Sequence, residues 1–103
     1  MHPLIQRHRA AIGELCHRHH VRRLEIFGSG ARSDDFDPSR SDVDFMVEFA
    51  PEPNAPTLDT YFDLRDALAA VLGRPVDLVV AGAVHNPYVL ASIDRSKELV
   101  YAA

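Results

Sequence analysis

Apolar residues recur along this chain with two different periods, and the switches between them divide it into elements. Leu4, Ile5, His8, Ile12, Leu15, Cys16 and His19 follow at three- and four-residue steps, which predicts an amphipathic helix over 3–19. Val21 to Phe27 is rich in β-branched and aromatic residues and stops at Gly28, as a strand does. Asp34, Asp35, Asp37 and Pro38 lie in a polar loop over 33–41. From Asp42 to Phe49 the chain alternates strictly: Val43, Phe45, Val47 and Phe49 share one face of a strand, and Asp42, Asp44, Met46 and Glu48 the other. Pro51, Pro53 and Pro56 forbid regular structure. A second helical stripe (Leu58, Tyr61, Phe62, Leu68, Leu72) is closed by Gly73 and Pro75. Val76 to Val80, interrupted only by Asp77, predicts a short buried strand. Asn86-Pro87 supplies a cap and a first-turn proline for a helix to about Ser96, and Leu99 to Tyr101 a last strand.

Strands alternating with helices define an α/β chain, α+β-like in having a small mixed central sheet flanked by helices. Its 103 residues suffice for one core, so a single domain over 1–103 is expected. No run approaches the roughly 18 apolar residues of a membrane span. Arg7, His8 and Arg9 interrupt the amino terminus before a signal-peptide apolar region could form. One cysteine excludes an internal disulfide and fits a cytoplasmic setting. With 11 basic and 15 acidic residues the net charge is −4, so the basic surplus of a nucleic-acid-binding protein is absent. Arg7, Arg9, Arg18, Arg22 and Arg23 cluster early and read as a solvated face rather than a binding patch.

Three pieces carry candidate chemistry. Gly28-Ser29-Gly30 follows a strand directly; glycines let the backbone approach an anion, and the Ser29 hydroxyl adds a hydrogen bond. Asp42-Val43-Asp44 puts two carboxylates on one strand face, although aspartate is disfavoured in strands. Like charges that close repel, and a divalent cation with a preference for hard oxygen ligands, Mg²⁺ or Mn²⁺, is their natural partner. Asp77 stands alone in an apolar run, costly to bury without a partner. Beside Asp42 and Asp44 in a sheet it completes a three-carboxylate set.

Taken together, Gly28-Ser29, a 12-residue spacer and Asp42-x-Asp44 in a strand resemble the nucleotidyltransferase signature of the DNA polymerase beta superfamily. Phe27 to Arg32, Ser41 to Val47, Val76 to Val79 and the Asn86-Pro87 helix ending in Leu99-Val100-Tyr101 are similar to its minimal nucleotidyltransferase group in particular. The resemblance implies that Gly28 and Ser29 hold the β- and γ-phosphates of a nucleoside triphosphate, with Arg32 adding positive charge. It implies two Mg²⁺ ions bound by Asp42, Asp44 and Asp77, with Asp77 also drawing off the proton of an attacking hydroxyl. The group usually carries a basic residue where Gly30 stands and a glycine where Ser33 stands; Arg32, Arg22 or Arg40 are candidates to supply the charge.

The same resemblance implies a function: transfer of AMP from ATP to a hydroxyl, with a tyrosine of a HEPN-type ribonuclease toxin as acceptor, so that the chain acts as an antitoxin and forms a hetero-oligomer with its target. Almost nothing follows the expected catalytic core, which points to an acceptor supplied by a second polypeptide. A binding antitoxin that neutralises its partner by contact alone is the competing expectation, favoured by Gly30. Transfer to a small hydroxylated molecule is a third, disfavoured by the missing acceptor domain. His17 and His19, two apart, do not share a helix face and the helix is ending there, so Cys16 reads as a core thiol and His17, His19 and His20 as solvated histidines near a helix end. His85 reads as a loop residue, and Glu48 as either a support to the carboxylates or an exposed edge residue.

Overall fold

The computed structural model describes residues 3–28, 43–51 and 57–103. Eight elements follow in order: α1 (Pro3–Arg7), α2 (Arg9–Arg18), β1 (Val21–Phe27), β2 (Val43–Phe49), α3 (Leu58–Leu72), β3 (Val76–Val80), α4 (Pro87–Ser96) and β4 (Glu98–Ala102). The four strands form one sheet in the order β3-β2-β1-β4. β1 runs antiparallel to both β2 and β4, whereas β2 and β3, joined through α3, run parallel. This is the mixed sheet the sequence predicts.

The alternation of β2 is realised residue by residue. Val43, Phe45 and Val47 are buried, and Asp44, Met46 and Glu48 on the other face are half-exposed. α2 and α3 cover the first face, closing a core of Ile5, Ile12, Leu15, Cys16, Leu24, Ile26, Leu64, Leu68 and Leu72 around those valines and Phe45. α4 contacts β1 and buries Ile93 outside that core. Glu25, on the opposite face of β1 from Leu24 and Ile26, is buried as well, held by Arg23 at 3.4 Å and by Lys97, just past α4, at 3.8 Å.

The helix expected over 3–19 is broken once. His8 adopts φ −100°, ψ 10°, and its N–H donates to the Ile5 carbonyl three residues back, so one tight turn separates α1 from α2. Ile5 and Ile12 still reach the same core. The run Val76–Val80 departs further from expectation. Among the described residues β3 is an edge strand with only Leu78 buried, because α3 covers one of its faces and no described strand pairs its outer side; Asp77 is exposed and carries no burial penalty.

Helix ends follow their local chemistry. Gly73 closes α3 at φ +69°, the left-handed cap that glycine adopts without strain. Thr57 and Thr60 form a reciprocal capping box at its start. Asn86 accepts from the N–H groups of Tyr88 and Val89 at 2.9 and 3.3 Å, with Pro87 in the first turn of α4. Asn86→Ala should therefore lower stability by about 1 kcal/mol, read as a fall in melting temperature, since two helix-start donors lose their acceptor. The loop over 33–41 and Pro53 and Pro56 lie outside the described residues. Among the described residues no helix is long and apolar enough to cross a membrane.

Candidate active site

The ends of three neighbouring strands build the site. Phe27, the last residue of β1, pairs with Asp44 on β2, and Asp44 pairs in turn with Asp77 on β3. Parallel partners in register point to the same side, so the two carboxylates stand on adjacent strands roughly 4.8 Å apart, on the sheet face that α2 and α3 leave open. Gly28 follows at once, in the left-handed region at φ +69°. A Cβ built there would lie 2.8 Å from the Asp44 Oδ2. Backbone conformation favours glycine here, and any side chain at this position would have to displace the Asp44 carboxylate. The Gly28 N–H is already committed, donating to the Ser96 Oγ at 3.0 Å.

Of the residues expected at the site, Gly28, Asp44 and Asp77 come together. Ser29, Gly30, Arg32, Ser33, Arg40 and Asp42 lie outside the described residues. Arg22 is not a substitute phosphate ligand: it sits near the start of β1, six residues or roughly 20 Å from Gly28 along the strand. There it pairs with Glu48 at 3.6 Å, which removes Glu48 from the site as well. Arg23 is likewise engaged, with Glu25, and Arg9 donates to the Val100 carbonyl.

A cavity of about 350 Å³ opens beside Gly28, lined by Phe27 and by Tyr88, Val89, Ser92, Ile93 and Ser96 of α4. No spacing in the sequence announces this contribution of α4, because Ser96 lies 68 residues from the glycine it contacts. A second cavity of about 380 Å³, walled by Phe49, Leu58, Tyr61, Leu78 and Val80, lies toward the other ends of β2 and β3; no carboxylate, imidazole or thiol lines it.

Among the described residues no three His, Cys, Asp or Glu side chains form a metal-binding group. His19 Nδ1 approaches the Leu15 carbonyl at 2.7 Å, and His17 and His20 are exposed. Cys16 is fully buried, which pushes its thiol up to about 12. The neutral thiol is the favoured form in the core, so stability lent by burial is present below pH 9 and lost as the pH rises toward 12. A disulfide thiol reagent at pH 8 should label Cys16 only at the rate of unfolding.

A small β3-β2-β1-β4 mixed sheet, with a strand-end glycine set against an aspartate that pairs with another, is the frame of a minimal nucleotidyltransferase fold. The chain belongs to this family: the nucleotidyltransferase domain model matches residues 8–100. A Methanocaldococcus jannaschii protein, provisionally named protein adenylyltransferase MJ0128, is 36% identical over 98 residues, spanning 95% of this chain and 90% of its own. A solved structure, provisionally described as a minimal nucleotidyltransferase, superposes with a TM-score of 0.73 at 31% identity, covering 90% of this chain and 89% of that one. The complex of a tri-AMPylated Shewanella oneidensis HEPN toxin with MNT antitoxin matches with a TM-score of 0.65, covering 96% and 73%; at 18% identity this is a likeness of fold.

Proposed function

We propose that this protein transfers AMP from ATP to a hydroxyl, the acceptor being a tyrosine of a HEPN-type ribonuclease toxin, and that it thereby acts as a cytoplasmic antitoxin assembled with its target. The observation that carries the reading is the fit of Gly28 against Asp44, with Asp77 alongside in register. Glycine leaves the space over the carboxylate open where any side chain would fill it. The name of the M. jannaschii relative supports adenylyl transfer, and the AMPylated toxin in the S. oneidensis complex supports the acceptor.

The donor set suits Mg²⁺: carboxylate oxygens alone, from two adjacent strands, with Asp42 one residue before β2 as the third. Asp42, Asp44 and Asp77 would hold two ions. When bound, such ions offset negative charge on the triphosphate and on the attacking and leaving oxygens of an in-line displacement. Ser29 and Arg32 bind the β- and γ-phosphates. Asp77, exposed on the edge strand, meets an acceptor arriving from solvent and accepts the proton of its hydroxyl.

The test is to incubate the protein with Mg²⁺, ATP and the helical protein encoded beside it, and to weigh the latter. An added AMP that disappears with Asp42→Asn supports the reading. An unmodified partner that is nonetheless neutralised, by the wild type and by Asp42→Asn alike, overturns it in favour of an antitoxin acting by contact.

A further inference from the structure

Gly28 holds a conformation that few residues adopt, at the point where β1 ends and its ladder no longer constrains the backbone. Something must fix it if the clearance over Asp44 is to be constant. The candidate comes from the far end of the chain. Ser96 Oγ accepts the Gly28 N–H at 3.0 Å, and the same hydroxyl lies 3.3 Å from the Ser92 carbonyl and 3.5 Å from that of Ile93. A hydroxyl has one proton; given back to its own helix, it leaves the oxygen lone pairs facing Gly28. The helix end is itself pinned. Ile93 is buried, and Lys97 joins Asp94 at 3.1 Å to Glu25 of β1 at 3.8 Å.

We propose that Ser96 is a positioning residue for nucleotide binding: its hydroxyl holds the Gly28 turn in place and so keeps open the space beside the Asp44 carboxylate. The inference rests on the functional reading above for its nucleotide half only. It also assigns Gly28 a steric part, because its N–H is engaged by Ser96 and does not serve a phosphate.

Two measurements on the full chain test it. In Ser96→Ala, exchange of the Gly28 amide hydrogen followed by NMR should accelerate at least tenfold. Affinity for the non-hydrolysable analogue AMP-PNP with Mg²⁺ should weaken about tenfold, while the thermal melt stays close to wild type. Ser96→Thr should restore both. If the alanine variant unfolds, Ser96→Thr and Ser96→Val, close in size and differing in the hydroxyl, carry the same comparison. Unchanged Gly28 exchange in a folded hydroxyl-less variant overturns the proposal. Faster exchange with unaltered AMP-PNP affinity also overturns it, leaving Ser96 a structural cap. A wild type that binds no AMP-PNP overturns the functional reading and the nucleotide half with it, and the exchange arm still decides whether Ser96 holds the turn.

Discussion

Asp44→Asn should lower kcat/KM for nucleotide transfer by at least about a hundredfold while leaving the melting temperature within a few degrees of wild type. Asparagine has the shape of aspartate, so the packing against Gly28 and the pairing of β2 with its neighbours persist; what goes is the charge. That charge lies between the Gly28 turn and the strand position of Asp77, and in the proposed reaction it would serve both the phosphates and the acceptor. Steady-state transfer assays beside thermal melts make the comparison. A fall of less than tenfold in a fully folded variant would mean that Asp44 is not at the centre of the chemistry.

Gly28→Ala should be the second most damaging change, and Gly73→Ala is its natural control. Both glycines sit at φ +69°. An alanine at either one incurs the cost of the left-handed region, about 1–2 kcal/mol, or several degrees in the melt of a domain this size. They differ in surroundings: nothing lies within 4 Å of a Cβ at Gly73, whereas one at Gly28 meets Asp44 Oδ2 at 2.8 Å. The carboxylate is the tip of a side chain and can swing away, so the extra cost to folding is small and the cost to chemistry large. Similar melting temperatures for the two variants, with transfer lost only in Gly28→Ala, would isolate the contact. Full activity in Gly28→Ala would refute a steric role for this glycine.

Much of this arrangement is legible in the sequence where a rule is local. The Val43/Phe45/Val47 alternation is a period-two signal spanning a whole strand, and it assigns Asp44 to the open face before any partner strand is known. Asn86-Pro87 and Gly73 mark helix ends because capping depends on three or four consecutive residues. The features that escape are those set by neighbours distant in sequence. Asp77 reads as buried because its run is apolar, yet exposure follows from strand order, and β3 is an edge. Arg22 reads as a spare cation near the glycine turn, yet direction along β1 carries it to the opposite end, onto Glu48. Ser96 carries no signal at all, since a serine in a last helical turn is unremarkable until the fold brings it to Gly28. The turn at His8 is a subtler miss: Ile5 and Ile12 keep their helical spacing on either side of it.

The two-faced burial of β2 has a genetic consequence. Its positions answer to separate demands: 43, 45 and 47 to the amount of folded protein in the cell, and 44, on the proposed reading, to what that protein does once folded. Truncations at 43, 45 and 47 deplete the protein by opening holes in its interior, whereas changes at the half-exposed 44, 46 and 48 open none. Lineages can therefore drift in one set without disturbing the other. A member that has lost its chemistry would still accumulate as an intact scaffold, available for whatever contact selection next favours.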